Sequence, residues 1–280
     1  MKLLIHGGFF SESSQSIETK QAKQKAIERI ILDAYNYLKD HNASETAVYA
    51  VKLLEDDTLF NAGTGSQIQR DGIIRMSASL MNGNSKKFSG VINIQNIKNP
   101  IELASTLQNV DDRVLGAEGA NLFAERLGIQ NYSTEIPQRR KEFEEKLAAS
   151  GMGTVGCVVL DREGKLAAAT STGGKGFEIP GRISDSATVA GNYANDDCAI
   201  SCTGVGEDIV SGAIAAKIVT RVTDGMTISD AFNKSFYELK EFDGFAGAIG
   251  IDKNGNMFWQ ESHPKIVFAA YDGTNLTVFQ

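Results

Sequence analysis

The chain has 280 residues, 42% of them hydrophobic, so it can bury a substantial core, and we expect one compact domain rather than two small ones. Its formal net charge is −7, and its 28 Lys and Arg are scattered along the chain, which leaves no basic stripe for a phosphate backbone and argues against nucleic acid as a partner. The apolar run at the N-terminus is too short for a secretory signal and no segment has the length of a membrane span, so we expect a cytoplasmic protein with no membrane partner.

Apolar periodicity and turn residues predict alternating strands and helices in the first half. The expected elements in chain order are a strand over 2–6, helices over 18–40 and 46–54, strands over 73–80 and 88–94, a helix that begins near Pro100 and a helix over 116–128. Residues 130–153 are charged and show little apolar periodicity, and we interpret them as an exposed connector.

Two hairpin signatures dominate the second half. Asp161-Arg-Glu-Gly164 and Asp252-Lys-Asn-Gly255 each separate two runs rich in β-branched residues. The expected elements are strands over 154–160 and 165–171, a strand over 198–202, helices over 207–222 and 229–242, and strands over 245–251 and 256–260. Antiparallel pairing with helices between the hairpins favours an α+β fold, a four-layer αββα sandwich of two antiparallel sheets.

Common catalytic and ligand motifs are absent or misplaced. Gly151-Met-Gly153-Thr-Val-Gly156 matches G-x-G-x-x-G, but a dinucleotide site needs a strand before it and a helix after it, and here a strand follows. The three histidines accompany neither a G-x-S-x-G elbow nor an H-E-x-x-H helix. The cysteines (Cys157, Cys198 and Cys202) lack C-x-x-C spacing and indicate buried thiols. A dinucleotide-binding oxidoreductase that uses Gly151-x-Gly153 or Gly204-x-Gly206 remains an alternative.

Thr154 offers a chemistry that needs no histidine. If the chain is cut after Gly153, Thr154 gains a free α-amino group, whose pKa of about 8 suits a general base for the hydroxyl of the same residue. Glycine before the cut lets the backbone adopt the conformation in which that hydroxyl attacks the Gly153 carbonyl. A lone threonine at the start of a strand is otherwise an ordinary β-branched residue.

Four ordered motifs carry a resemblance to a known family. They are Gly153-Thr-Val-Gly-Cys-Val-Val-Leu-Asp161, Gly-Lys-Leu-Ala-Ala-Ala-Thr-Ser-Thr-Gly-Gly174, Pro-Gly-Arg-Ile-Ser-Asp-Ser186 and Ser-Cys-Thr-Gly-Val-Gly-Glu207. With His6-Gly7-Gly8, Phe60-Asn-Ala-Gly-Thr-Gly-Ser66 and Ile97-Lys-Asn-Pro100 in the first half, the chain resembles the plant-type asparaginase / isoaspartyl peptidase family of N-terminal-nucleophile hydrolases. The resemblance implies a single-domain precursor that cuts itself between Gly153 and Thr154 into an α subunit (1–153) and a β subunit (154–280).

The resemblance also implies a role for each matching residue. The implied roles are the nucleophile for Thr154, its hydrogen-bond partner for Thr172, the substrate carboxylate clamp for Arg182, the partner of the substrate ammonium for Asp185, the oxyanion hole for Thr203 and Gly204, and pocket lining for Gly206. The implied substrates are L-asparagine and β-aspartyl dipeptides, with glycosylated asparagine as an alternative within the family. A dimer of αβ units is implied as well.

No cofactor for catalysis is implied, but the family resemblance extends to a loop that wraps a structural sodium ion. Its ligands would be the main-chain carbonyls of Leu54, Glu55, Asp57, Phe60, Ala62 and Thr64. Carbonyl oxygens suit a hard cation.

Some positions depart from the family pattern. Phe9-Phe10 occupies the place where the family usually has Ala-Gly, and Arg75 and Ser77 occupy the places where it commonly has Glu and Asp. Ser184 replaces a Gly beside Asp185, and Trp259-Gln-Glu-Ser262 differs from the usual family sequence. A relative that keeps the sandwich but never matures is therefore a third hypothesis, and the departures bear on cleavage efficiency and substrate preference.

Overall fold

The computed structural model describes residues 1–10, 16–145, 153–263 and 265–280. The helices are α1 (Ile17–Leu38), α2 (Ala43–Asp56), α3 (Pro100–Thr106), α4 (Ala117–Arg126), α5 (Pro137–Glu144), α6 (Gly206–Gly212), α7 (Ile214–Thr223) and α8 (Ile228–Leu239), with short 3₁₀ turns at Leu107–Asn109, Asp185–Ala187 and Lys240–Phe242. The strands are β1 (Lys2–Phe9), β2 (Met76–Asn82), β3 (Lys87–Ile94), β4 (Val114–Gly116), β5 (Val155–Leu160), β6 (Leu166–Thr172), β7 (Asn192–Ala194), β8 (Cys198–Gly204), β9 (Ala246–Asp252), β10 (Met257–Glu261), β11 (Ile266–Tyr271) and β12 (Leu276–Val278).

Two sheets form the centre of the molecule. The larger has eight strands in the order β12-β11-β1-β5-β6-β2-β3-β4, and the smaller has four in the order β10-β9-β8-β7. The pairings are antiparallel except for β3 with β4 at the edge of the large sheet. The two sheets pack face to face through β5 and β6 against β8, and α1, α2, α7 and α8 cover the outer faces. This arrangement confirms the expected αββα sandwich.

The position of β5 explains its sequence. Each of its residues is buried, because one face lies under α2 and the other lies against the small sheet. A strand covered on both faces is apolar throughout, without polar alternation. The continuous run Val155–Leu160 therefore places Thr154 at the edge of the layer between the sheets, away from bulk water.

The long first helix follows its predicted pattern. Ile27, Ile30, Ile31 and Ala34 are fully buried on one face, and Ser16 caps the N-terminus by accepting a hydrogen bond from the Thr19 amide at 3.3 Å. The second helix begins with a capping box between Asn42 and Glu45. These local signals agree with the tertiary packing, so apolar periodicity was sufficient to predict both helices.

The prediction of one helix over 207–222 was wrong. The chain turns at Ala213, which adopts a left-handed conformation with φ 47° and separates α6 from α7. The amide of Ala215 donates to the carbonyl of Ala190 at 2.8 Å, and that of Ala216 donates to Val189 at 3.1 Å. A straight helix would not bring these amides to that loop, so the tertiary hydrogen bonds fix the break.

Other differences lie at the edges and the C-terminus. The strand expected over 73–80 begins only at Met76, and β4, β7, β11 and β12 had not been predicted. The segment predicted as an exposed connector contains α5, and within it Thr134 is only 3% exposed and its carbonyl accepts a hydrogen bond from the Gly65 amide. Residues 146–152 of the connector, and with them Gly151 of the glycine motif, lie outside the described residues.

In the parts of the chain that the structure describes, no helix is both long enough and apolar enough to cross a membrane. Cys157, Cys198 and Cys202 are buried free thiols, as predicted. Burial raises the pKa of the Cys157 thiol well above its usual range, so this group is un-ionised near neutral pH.

Candidate active site

The pairing of β5 with β6 brings two threonine hydroxyls together. Val155 lies opposite Ser171 in this pair, which sets Thr154 beside Thr172. The Thr154 Oγ1 donates to the Thr172 Oγ1 at 3.3 Å, and the Ser186 Oγ lies 3.5 Å from the Thr154 Oγ1. All three side chains are buried. The two threonines singled out in the sequence are therefore neighbours, although 18 positions separate them.

These hydroxyls open into a small pocket of about 100 Å³. It is lined by Gly153, Thr154, Thr172, Gly174, Lys175, Arg182, Ser184, Asp185, Gly204, Val205 and Gly206. Seven of the eight residues that the sequence assigned to cleavage, catalysis or substrate binding are on this list. The eighth, Thr203, lies one residue before the lining, at the end of β8.

The end of β8 combines a special backbone conformation with a free hydroxyl. Gly204 has φ +139°, and a Cβ there would lie 2.6 Å from the Phe245 carbonyl, so a glycine is required. The Thr203 Oγ1 is fully buried and has no hydrogen-bond partner among the described residues. A buried hydroxyl without a partner is costly unless a ligand supplies one.

Charged groups occupy the other end of the pocket. The Arg182 Nε and Nη2 donate to the two carboxylate oxygens of Glu207 at 2.7 Å each. A Cβ on Gly206 would lie 2.9 Å from the Arg182 Nη2 and 3.0 Å from the Asp185 Oδ1, so this glycine leaves room where both groups converge. A planar guanidinium has five N–H donors, so this pair leaves others for a second carboxylate.

The two acids of this end have opposite electrostatic environments. The hydrogen bond from Arg182 holds the pKa of Glu207 at about 2, so Glu207 is ionised at neutral pH. Burial raises the pKa of Asp185 to about 7, and its Oδ2 has no partner among the described residues. Asp185 is thus a buried acid whose charge a bound cation would stabilise.

Gly153 packs directly against the loop that contains Asn61. A Cβ on Gly153 would lie 2.8 Å from the Asn61 Cβ. The Asn61 carbonyl accepts from the Gly173 amide at 2.9 Å, and its Nδ2 donates to the Gly174 carbonyl at 2.5 Å. The loop therefore joins the peptide before Thr154 to the segment that follows Thr172.

His6 is a site residue to which sequence analysis gave no role. It is fully buried; its Nδ1 lies 3.0 Å from the Thr154 carbonyl and its Nε2 lies 2.8 Å from the Ser201 Oγ. The Ser201 Oγ is 2.7 Å from the Thr170 Oγ1. A carbonyl only accepts, so Nδ1 carries the proton, Nε2 accepts from Ser201, and Ser201 accepts from Thr170.

This chain of hydrogen bonds consists of neutral groups. Burial lowers the pKa of His6 to about 3, so the imidazole is uncharged near neutral pH. A Cβ on Gly156 would lie 2.0 Å from the Ser201 Oγ and 2.4 Å from the His6 Nε2. The motifs around His6, Gly156 and Ser201 therefore meet at one point behind the Thr154 main chain.

The residues that depart from the family pattern lie in different parts of the structure. Phe9 packs edge-on against Phe245 with ring centroids 4.7 Å apart and lies against Gly247 of the small sheet, and Phe10 is buried in the large hydrophobic core. The Ser77 Oγ accepts from the Asn93 amide at 3.1 Å, and Arg75 pairs with Asp71 at 2.8 Å, both outside the pocket lining. Trp259 packs on Phe268, and Ser184 alone of these residues lines the pocket.

The expected sodium loop is tightly wound and its donor set suits a hard cation. The Glu55 carbonyl accepts from the Thr64 amide at 2.8 Å, and a Cβ on Gly63 would lie 2.5 Å from that oxygen. A Cβ on Gly65 would lie 3.2 Å from the Phe60 carbonyl. The Thr64 Oγ1 is buried without a partner among the described residues, which leaves one oxygen atom of the loop without a donor. The residues present therefore fit the ion.

Comparison with known proteins agrees with this arrangement. A sequence profile of the asparaginase family matches residues 1–279. The chain is 44% identical to an isoaspartyl peptidase/L-asparaginase of Nostoc sp., over 98% of this chain and 93% of the relative. It is 35% identical to an isoaspartyl peptidase of Escherichia coli (91% and 88%) and 31% identical to a plant-type L-asparaginase of Pyrococcus furiosus (95% and 95%). Gly153 is followed by strand β5 and not by a helix, which removes the basis for a dinucleotide site at Gly151-x-Gly153. The match to the family profile over almost the whole chain shows that the chain belongs to the asparaginase family.

Proposed function

We propose that this protein is an autoprocessing amidohydrolase that releases L-aspartate from β-aspartyl (isoaspartyl) dipeptides, from L-asparagine, or from both. The observation that carries the proposal is the position of Thr154, whose hydroxyl donates to the Thr172 hydroxyl and which lines one pocket together with Thr172, Arg182 and Asp185. The relatives named above as isoaspartyl peptidases and asparaginases support the substrate class.

Maturation begins with the intact Gly153–Thr154 peptide. The Thr154 hydroxyl attacks the Gly153 carbonyl carbon, the C–N bond breaks, and the acyl group moves from the Thr154 nitrogen to its oxygen. The break of the C–N bond leaves Thr154 with a free α-amino group. Water then hydrolyses the ester, which releases the Gly153 carboxylate and restores the Thr154 hydroxyl. The packing of Gly153 on Asn61 supports this step, because it holds the peptide in place while the hydroxyl approaches.

Hydrolysis by the mature protein uses the same hydroxyl. The α-amine of Thr154 takes the hydroxyl proton as the oxygen attacks the β-carbonyl, and returns it to the leaving amine or ammonia. The free Thr203 hydroxyl and the Gly204 amide are suited to stabilise the negative oxygen that forms. Water then attacks the acyl-enzyme and releases aspartate, while Thr172 orients the nucleophile.

Substrate recognition follows from the charged end of the pocket. Arg182 binds the α-carboxylate through the N–H groups that Glu207 leaves free, and Asp185 pairs with the α-ammonium. An internal peptide bond has neither a free α-amine nor a free α-carboxylate beside its carbonyl. The site therefore selects a β-linked amide over an ordinary peptide bond.

Three further features belong to this proposal. A sodium ion in the loop from Leu54 to Thr64 would support the Asn61 region through main-chain carbonyls and would supply no catalytic chemistry. The mature protein would be a dimer of αβ units. Its place would be the cytoplasm, with which the three free thiols agree.

Intact-mass measurement together with a substrate panel tests the proposal. Purified protein should separate into chains 1–153 and 154–280, and should hydrolyse β-aspartyl-leucine, L-asparagine or both faster than glycosylated asparagine. Fully processed protein that turns over none of these substrates would contradict the proposed activity. An unbroken chain that is fully active would contradict the role of the new N-terminus.

A further inference from the structure

The pocket contains a second cation that the proposed mechanism does not use. Lys175 lines the pocket together with Thr154 and Arg182. Its side chain is half exposed, and its Nζ lies 3.3 Å from the Glu207 Oε1, the same oxygen that accepts from the Arg182 Nε at 2.7 Å. The lysine therefore lies near the carboxylate clamp and still reaches solvent at the pocket opening.

The main chain on both sides of Lys175 is fixed close to the nucleophile. Gly174 and Gly176 both have positive φ, +81° and +80°, so the chain bends on each side of the lysine. The Gly174 amide donates to the Thr172 Oγ1 at 3.2 Å, and the Gly174 carbonyl accepts from Asn61. The Lys175 main chain is thus held near the hydroxyl pair, while its half-exposed side chain extends to Glu207.

The pocket lining has one more cationic side chain than the α-carboxylate and α-ammonium of an aspartyl group require. The α-carboxylate and α-ammonium of an aspartyl group require one cation and one anion, which Arg182 and Asp185 provide. A β-aspartyl dipeptide brings another carboxylate, at the free end of its leaving residue, whereas the leaving group of asparagine is ammonia. Lys175 is the further cation among the lining residues, so it can distinguish these two leaving groups.

We infer that Lys175 forms a subsite for the α-carboxylate of the leaving residue of a β-aspartyl dipeptide, an inference that rests on the proposed function. Arg182 keeps Glu207 through two bonds of 2.7 Å. The single contact of Lys175 with Glu207 is longer and solvent-exposed, and such contacts are weak. Lys175 can therefore exchange this contact for the incoming carboxylate while Arg182 and Glu207 stay in place.

Three substrates and two lysine variants test the inference on mature protein. The substrates are β-aspartyl-leucine, its C-terminal amide β-aspartyl-leucinamide, and L-asparagine. Lys175→Met should lower kcat/KM for β-aspartyl-leucine by roughly tenfold, the usual scale for one charge-assisted hydrogen bond, mainly through KM. It should leave the amide and asparagine unchanged within about twofold, and Lys175→Arg should retain most of the activity on the dipeptide.

Lys253→Met is the matched control, because Lys253 pairs with Asp197 at 2.7 Å on the surface, outside the pocket lining, and its loss should change none of the three rates. An equal loss on all three substrates would overturn the inference, because it would mean that Lys175 acts only through Glu207 and Arg182. An unchanged rate on the dipeptide would overturn it as well. No turnover of any substrate by processed wild-type protein would instead contradict the proposed function, so the two failures are distinguishable.

Discussion

The two ends of the pocket differ in charge. At the reaction end, Thr154, Thr172 and His6 are buried and uncharged, and hydroxyls and one neutral imidazole form the hydrogen bonds. At the recognition end, Arg182 is paired with a half-exposed Glu207 through charged contacts. The contrast indicates that position and hydrogen bonding control the chemical step, while charge selects the substrate.

The largest expected effect is at the reaction end. Thr154→Ala removes the hydroxyl that serves both cleavage and hydrolysis, so the chain should stay at its full mass and activity should fall by more than about 10⁴-fold. Thr154→Ser keeps the hydroxyl and should retain measurable processing. Intact mass and product release report the two steps separately. Activity in the unprocessed alanine variant would remove Thr154 from the mechanism.

Arg182→Lys should have the next largest effect, and it tests the recognition end. Lysine keeps the charge but loses the planar fork that holds Glu207 and a second carboxylate at the same time. We expect kcat/KM for L-asparagine to fall by about 10²-fold, mainly through a higher KM. Arg162→Lys, an exposed arginine in the turn between β5 and β6, is the control. A loss confined to kcat would mean that Arg182 does not bind the ground-state carboxylate.

His6→Ala should show the opposite kinetic pattern. Without the bond to its carbonyl, Thr154 keeps its chemistry but loses a fixed orientation, so kcat should fall by roughly thirtyfold with little change in KM. The pH profile should keep its shape, because the pKa of His6, about 3, lies below the range in which the rate is measured.

His41→Ala is the matched control for His6, because the His41 Nδ1 bonds the Tyr37 carbonyl outside the pocket lining. His6→Asn should recover part of the lost rate, since its amide can still donate to the Thr154 carbonyl. Equal losses of kcat in the His6 and His41 variants would mean that His6 contributes only to the stability of the fold and does not position Thr154.

The pKa of Asp185 predicts a pH dependence that belongs to the recognition end. Burial raises this pKa to about 7, so the carboxyl is neutral below that pH and charged above it. The substrate ammonium needs the charged form. KM should therefore rise as the pH falls below about 7, by up to about tenfold per pH unit, and stay constant above it. Asp185→Asn should give a high KM that does not change over this range; a wild-type KM that is flat from pH 5.5 to 8 would contradict the assignment.

The sequence was informative where the signal is local. The Asp-x-x-Gly turns at Gly164 and Gly255 predicted both hairpins, and the hairpin of β5 and β6 determines the contact between Thr154 and Thr172. The pocket could be predicted because its residues fall in short motifs of the family. The apolar run Ile266–Tyr271 also carried a strand signal, and it was overlooked.

What the sequence did not reveal depends on distant partners. His6 bonds residues 148 and 195 positions away, so nothing near it in the sequence indicates its role. The break at Ala213 follows from hydrogen bonds to the loop at Ala190, and alanine normally favours a continuous helix. The bidentate partner of Arg182 is Glu207, to which the sequence analysis gave no role in the site. In each case tertiary contacts decided the outcome.

The smallest expected effect concerns the sodium loop, which contacts Gly153 at the reaction end through Asn61. An ion held by main-chain carbonyls binds the folded chain and not the unfolded one, so it should stabilise the fold in proportion to its occupancy. Replacing 100 mM sodium chloride with tetramethylammonium chloride, whose cation is too large for the loop, should lower Tm by a few degrees. One kcal/mol corresponds to about 2–4 °C in a protein of this size range. Equal Tm values in the two salts would argue against an ion that stabilises the loop, and the buried Thr64 Oγ1 would then need another partner.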